Sequence, residues 1–481
     1  VRDFGIGPDL KTNQEDSPLK LKSTSLLIAG ALFGAAVMPA QANNDAMMDL
    51  LEVLRDKGTI SAQDYDLLKN AAAADKEASE EVANKVNKVE KEAVSVSLKK
   101  GALKLKSGDG AFKAQVGGRV MADYAWIDDD ERADRIGDAS GDGSELRRAR
   151  LFMKGTVFND WKYKMQVGFA GDDVEIKDAY IGYTGFDAVD FTLGNHKMPF
   201  SLEEQTSSKY ITFMERSLTN DIFSPGRQNG LSAATNGDNW SLKGAVHMDG
   251  IDNNNENKDE DYGYGARAHF APLVDGSNAI HLGVSWHHQE YEEEGLNNGS
   301  HGDQRFRARP EIHTVDTRPY LTNIDGVEDD DTIGLEAAGV FGPFSLQAEY
   351  FDKSINTETD DVDFDGWYVY GSFFLTGESR AYEADAGEFG RVSPKSTVGN
   401  GGYGAWELAL RYSEIDLYDS GSAAVTDAGE KGDIFTIGLN WYATRNIRVM
   451  ANYIDATVEY PGQGISDEDI KAFQLRGQID F

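Results

Sequence analysis

From Phe112 onward, apolar and polar residues change places at almost every step. Phe112, Ala114, Val116, Val120, Ala122, Tyr124 and Trp126 fall on one side, and Lys113, Gln115, Arg119 and Asp123 on the other. A period of two is the mark of an extended strand with one apolar face. The same alternation recurs down the chain. Trp161, Tyr163, Met165 and Val167 oppose Lys162, Lys164 and Gln166; Ile280, Leu282, Val284 and Trp286 oppose His281, Ser285 and His287. Each run is about ten residues, the length with which a tilted strand crosses a bilayer. Aromatic residues cluster at the ends of the runs, where a membrane-interface girdle falls. The last run sets Phe473, Leu475, Gly477, Ile479 and Phe481 against Gln474, Arg476, Gln478 and Asp480, and ends on an aromatic. That ending predicts a barrel that closes in lipid.

The connections alternate in length. Tight turns are predicted at 158–160, 185–187, 236–239, 341–343 and 444–446. Long polar loops are predicted near 127–145, 198–228, 249–261, 289–331 and 419–432. Short turns on one rim and long loops on the other fit a membrane barrel. Seventeen period-two segments can be counted if 303–309 is included. An even number is needed to bring both termini to one rim. Pro310 and the lack of flanking alternation make 303–309 the weakest, which leaves about sixteen strands. One connection breaks the rule: 377–403 is long but falls on the short-turn rim.

Upstream of the strands the period is helical. Met47, Leu50, Leu51 and Leu54 predict one helix, which Lys57-Gly58 stops. Ser61 caps a second, whose face is Tyr65, Leu67 and Leu68. Val82, Val86, Val89 and Ala93 follow in coiled-coil steps. Two readings of 43–94 stand: a periplasmic trimerisation segment and a polar linker helix. Still earlier, Lys20-Leu21-Lys22, an apolar run over 26–38 and Ala40-Gln41-Ala42 form a secretory signal with a cleavage site after Ala42. The polar stretch before it reads as a mis-called start, with Leu19 as an alternative initiation codon. Residues 1–42 are therefore set aside as leader plus signal.

The chain has 481 residues, 82 acids against 47 bases, a formal net charge of -35 and no Cys. That balance gives no basic face for nucleic acid, and the lack of Cys removes disulfides and thiolate metal sites. No 18-residue apolar run follows Ala42, so no spanning helix is expected. Mean hydropathy is -0.49, which an alternating barrel tolerates. No nucleophile–base motif, His-Glu-x-x-His or phosphate loop is present, so neither an enzyme nor a cofactor is expected. The series Asp361, Asp363, Asp365, Gly366 lacks the glutamate a calcium loop requires, having Ser372 in its place. His287 and His288 alternate faces, and His196 and His269 stand alone, so no metal site is expected. The acidic loops at 128–131, 253–261, 329–331 and 360–365 read as solvated surface, as divalent-cation bridges to lipopolysaccharide, or as anion-repelling rims.

Charge on the strands carries the functional reading. Parity sets Arg148, Arg150, Lys154, Lys162 and Lys164 opposite Leu151, Met153, Met165 and Val167. Exposing such bases to lipid costs about 2–4 kcal/mol each at midplane, so they are expected to face the lumen. Parity puts Arg147 on the other face, either at the rim or turned inward by a bulge. The competing reading for these bases is simple pairing with lumen acids such as Asp123, Asp172 or Asp173. Arg305, Arg307 and Arg309, at every second position of a long loop, are either a solvated run or the upper steps of an anion path.

Several stretches go further: Leu146-Arg147-Arg148-Ala149-Arg150-Leu151 with Asp160-Trp161-Lys162-Tyr163; Lys177-Asp178-Ala179-Tyr180; Pro199-Phe200-Ser201-Leu202-Glu203 through Thr206-Ser207-Ser208-Lys209 to Phe213-Met214-Glu215-Arg216; and Phe389-Gly390-Arg391-Val392 with Gly404-Ala405-Trp406-Glu407-Leu408. Together they resemble the phosphate-selective porin O and P family over roughly 95–481. The resemblance implies an all-β fold: a transmembrane antiparallel β-barrel of about sixteen strands, assembled as a trimer. It implies that loop 198–228 folds into the lumen and that arginines, here Arg305, Arg307 and Arg309, lead anions to a constriction. By position Arg147, Arg148 and Arg216 match arginines near the constriction, Asp178 a wall carboxylate and Ser207 a loop hydroxyl. Glu204 departs from the pattern, standing where a lysine is expected. A carboxylate there would reverse the local charge in a poorly screened pore.

The expectation is a homotrimeric porin in the outer membrane of a Gram-negative cell. It would pass small hydrophilic solutes passively, with anions, phosphate among them, as the expected cargo. Its partners would be outer-membrane lipid, lipopolysaccharide and the barrel-assembly machinery, which reads the terminal aromatic. The rivals are a general or cation-preferring porin, because of Glu204 and the acidic loops, and a structural tether built on 43–94.

Overall fold

The structure is a computed structural model. It describes residues 41–481 except 100, 130–140, 172, 249–259, 292–302, 315–317, 420, 428 and 465. The signal and start-codon expectations lie outside the described residues, apart from the end of the cleavage site. The chain divides into two units, 1–92 and 93–481.

The first unit contains two helices, α1 (Gln41–Asp56) and α2 (Ala62–Glu92). Gly58 adopts a φ of 69° and breaks the chain between them, a conformation that glycine reaches without a Cβ penalty. Ser61 accepts from the Asp64 N–H at 3.2 Å and its hydroxyl donates to the Asp64 carboxylate at 2.6 Å, which caps α2. Leu51, Tyr65 and Ala72 are buried where the helices pack, and the Arg55 guanidinium lies 4.6 Å from the Tyr65 ring centroid. Leu67 and Leu68, expected beside Tyr65 on one face, are exposed, because only a narrow stripe of α2 meets α1. Val82, Val86 and Val89 are also exposed.

The second unit is a closed barrel of sixteen antiparallel strands. They are β1 (Lys113–Asp129), β2 (Gly143–Val157), β3 (Trp161–Gly168), β4 (Glu175–Tyr183), β5 (Asp190–Lys197), β6 (Arg227–Asn236), β7 (Trp240–Met248) and β8 (Tyr262–Asp275). They continue as β9 (Asn278–Glu290), β10 (Val327–Phe341), β11 (Phe344–Thr357), β12 (Asp361–Phe374), β13 (Ala405–Asp416), β14 (Lys431–Tyr442), β15 (Ile447–Glu459) and β16 (Glu468–Asp480). Each pairs with its sequence neighbour, and β16 pairs with β1 to close the ring. Closure leaves no unpaired edge, which lipid requires. A hairpin of Ser95–Lys99 and Ala102–Lys106 joins the start of β1.

The two faces of the wall reverse the usual order of a soluble protein. Leu282 and Val284 on β9 are exposed, at 52% and 46%, while His281 and Ser285 on either side of them are each at 1%. Arg267, Arg411 and Arg476 are among the largest fully buried side chains. The apolar face is thus presented to lipid and the polar face to the lumen.

The segment 303–309 is not a barrel strand. Gln304–Ala308 pairs with Tyr320–Ile324, which pairs with Val425–Asp427, in a separate small sheet formed by the long connections. The exceptional connection after β12 turns inward. Arg267 donates to the Gly387 carbonyl at 2.8 Å, and His269 Nε2 lies 2.8 Å from the Ala384 carbonyl. The Phe389 N–H donates to Thr206 Oγ1 at 3.2 Å, so this connection also meets the one after β5.

Candidate functional site

The connection after β5, 198–226, holds two short helices, Leu202–Gln205 and Leu218–Phe223. Ser201 and Ser217 cap them, each accepting from the N–H three residues on. Phe200, Leu202, Phe213, Met214 and Leu218 are all buried. Their partners come from widely separated strands, so the connection lies across the lumen. Glu349 on β11 accepts from the Leu202 and Glu203 N–H groups, both at 2.8 Å. Arg411 on β13 donates to the Glu215 carbonyl at 3.1 Å. Arg448 on β15 donates to the Ile211 and Thr212 carbonyls at 2.7 and 2.8 Å. Arg476 on β16 donates to the Met214 carbonyl. Turn carbonyls that no helix or ladder uses thereby find donors, as buried backbone must.

Glu215 ties the connection to β2. Arg147 binds it through two parallel hydrogen bonds of 2.8 Å, Arg148 lies 3.4 Å away, and Arg476 reaches the other oxygen at 2.5 Å. Arg147 reaches inward because the β1–β2 register shifts between Met121 and Asp123. Two β2 residues, 146 and 147, then oppose one on β1, and the extra residue turns. Leu146 remains outside at 56% exposure. Burial raises the Glu215 carboxyl, but Arg147, Arg148 and Arg476 outweigh it and hold the group well below 4.5.

Glu204 does not present a bare carboxylate. It is 6% exposed, 3.1 Å from Arg216 and 3.4 Å from Lys197. Burial raises its carboxyl, and Arg216 with Lys197 more than offsets this, so it sits below its ordinary value. The reversed local charge expected at this position is therefore neutralised. Arg216 is itself occupied, donating to the carbonyls of Glu203, Glu204 and Thr206 at 3.1–3.3 Å. Asp178 pairs with Lys164 at 3.0 Å and Arg227 at 3.3 Å. Ser207 is half-buried, and no hydrogen bond from its hydroxyl is found among the described residues.

The loop arginines stand apart from this network. Arg305 and Arg307 are exposed and share one side of their short strand, opposite half-buried Phe306 and buried Ala308; Arg309 is half-buried. Among the described residues Arg305 and Arg307 make no hydrogen bond or ion pair.

Sequence reasoning did not single out Arg119, Arg227, Lys197 or Glu215 as site residues. Arg119 lies directly opposite Arg150 in the β1–β2 register, and Lys154 lies directly opposite Lys164 in the β2–β3 register. Arg119 donates to Ser208 at 2.8 Å, and its Nε, buried, has no partner. Arg150 is half-buried and Lys154 exposed, and neither is paired among the described residues. Lumen acids do take some bases: Asp123 takes Arg476, Asp178 takes Lys164, and Asp190 lies 3.5 Å from Lys162. Asp172 lies outside the described residues. The available signal was parity, which marks the lumen side of one strand. Strand register, which parity does not give, decides who faces whom.

A closed sixteen-stranded barrel, apolar outside, polar inside and narrowed by an inward connection, defines an outer-membrane porin of a Gram-negative cell. The chain belongs to the phosphate-selective porin O and P family, whose profile matches residues 114–481. Porin O of Pseudomonas aeruginosa is 28% identical over 418 residues, covering 79% of this chain and 91% of that protein. An uncharacterized protein of Caulobacter vibrioides is 32% identical over 397 residues, 79% of this chain and 76% of that one. Among solved structures, OmpT of Vibrio cholerae in its trimer form is 14% identical, with a TM-score of 0.47 over 77% of this chain and 100% of that one. An anion-selective porin from Comamonas acidovorans is likewise 14% identical, with a TM-score of 0.47 over 76% and 100%.

Proposed function

We propose that this porin conducts small anions passively along the lumen face of β1–β3. The observation that carries this reading is Arg119 set directly opposite Arg150, with Lys154, unpaired among the described residues, further along β2 opposite Lys164, whose charge Asp178 shares. Facing like charges destabilise a sheet, and a passing anion relieves that repulsion. Guanidinium replaces water around an anion with two parallel donors. Spaced, partly occupied sites let the ion leave again, as conduction requires. Arg147, Arg148 and Arg216 are the holders of the inward connection in this reading, and Arg305, Arg307 and Arg309 are outer attractors that feed the path. Ser207 supplies a further donor, and Asp178 sets the spacing of Lys164 and Arg227.

The reversal potential across a planar bilayer in a potassium chloride gradient tests the reading. Anion preference is expected; cation preference sinks it. Block of the chloride current by micromolar phosphate would add phosphate specificity, which neutralised Glu204 no longer opposes. The assembly is proposed to be a homotrimer embedded in lipid and lipopolysaccharide, with the exposed valines of α2 contributing to association. A native mass of one chain in mild detergent would contradict it.

A further inference from the structure

Away from the anion path, His247 on β7 and His287 on β9 meet across the strand between them. Their Nε2 atoms are 2.9 Å apart, the rings are within 9° of parallel, and the centroids are 5.1 Å apart. A centroid separation that long, at that nitrogen separation, sets the rings end to end rather than face to face. Both side chains are on the lumen face, at 3% and 5% exposure. The intervening strand permits this because it carries glycine at both facing positions. Gly263 lies opposite His247, and Gly265 opposite His287. A Cβ on Gly263 would stand 2.6 Å from His247 Nε2.

Two neutral imidazoles can hold only one proton between two facing nitrogens. The surroundings are incompletely satisfied. His247 Nδ1 has no hydrogen-bond partner, and neither has Thr332 Oγ1, which lies fully buried on β10 directly opposite His287. The nearby charges cancel, since Asp330 is paired with Lys353 and accepts from the Tyr291 hydroxyl at 2.7 Å.

We propose that His247 and His287 are ligands to a transition-metal ion of the zinc or copper(II) class, bound in place of their shared proton, which the His247 ring then carries on its open Nδ1. Two zinc–nitrogen bonds of about 2.0–2.1 Å at a tetrahedral angle hold the nitrogens about 3.3 Å apart. The nitrogens separate by a few tenths of an ångström, and each ring swings by roughly 35° so that its lone pair points at the ion. Water near Thr332 completes the coordination.

Sequence parity set His287 and His288 on opposite faces, and so they are. The partner of His287 is instead forty residues back, which no local spacing reveals. Zinc titrated calorimetrically into the detergent-solubilised full channel tests the site, with X-ray absorption at the zinc edge on the unmodified protein. One ion per chain is expected, with two imidazoles in its shell. His247→Gln and His287→Gln should each weaken binding at least tenfold while leaving the chloride conductance unchanged. An absorption spectrum without two imidazoles overturns the proposal. So does binding that survives both substitutions, or that is lost on His288→Gln, which would place the ion with Asp329 and Asp331 on the outer face.

Discussion

Arg411, Arg448 and Arg476, on β13, β15 and β16, all donate to backbone carbonyls of the inward connection. Two strands beyond β16, Arg150 and Lys154 on β2 donate to nothing among the described residues. Both sets are basic and both face the lumen, so composition and parity cannot tell them apart. The difference lies in what reaches them. The first set meets a run of carbonyls at 211–215 and is consumed in fixing it. Arg411 also lies 4.4 Å from the Phe213 ring centroid and pairs with Glu311. The second set faces other cations across the sheet. A lumen arginine is therefore a structural staple or a conducting site according to whether the chain supplies it with an acceptor.

Breaking the staple should have the largest effect. Glu215→Gln leaves three guanidiniums without their shared carboxylate. Losing one partner of a buried ion pair costs about 3–5 kcal/mol, so the thermal unfolding midpoint should fall and open-channel noise should rise. The same group gives a pH test. Its carboxyl is held below 4.5 in the folded state, so its stabilisation is complete above that value and is lost as pH falls through the depressed value. Channel noise should stay flat from pH 7 to 5 and rise only in stronger acid; a rise between pH 7 and 5 would contradict the staple.

A smaller, purely functional effect is expected from the open set. Arg150→Ala with Lys154→Ala should leave the unfolding midpoint unchanged but cut the anion-to-cation permeability ratio roughly fivefold, about 1 kcal/mol of lost attraction. A fall in stability without a change in selectivity would move these bases into the stapling set. The smallest effect belongs to the outer loop. Arg305→Ala with Arg307→Ala should lower anion preference by less than about twofold in 0.1 M salt and by nothing measurable in 1 M, where screening reaches only about 3 Å.

Much of the barrel was legible before any coordinates. Strand spans such as Ile280–Trp286 and Phe473–Ile479 follow from period two. The sixteen-strand count follows from setting aside 303–309, which the structure places in a separate small sheet. The candidate site was legible only by halves. Parity found Arg148, Arg150, Lys154 and Lys164, and it left Arg147 either at the rim or turned inward by a bulge; the register shift on β2 is that bulge, and it adds a residue that parity alone does not count. Glu204 was read as a reversed charge, because nothing local to it shows that Lys197 and Arg216 converge on it. His247 and His287 were invisible as a pair, since two glycines on a third strand bring them together.

The sequence by itself determined which side of each strand meets lipid, where the chain turns and that the ring closes on Phe473–Phe481, because these depend on local periodicity and on the cost of placing charge in hydrocarbon. Only the tertiary structure decided which lumen charges are spent and which are free. That choice depends on register between strands and on where the 198–226 and 375–404 connections come to rest, and such contacts join residues more than two hundred positions apart, as in Arg448 with Thr212.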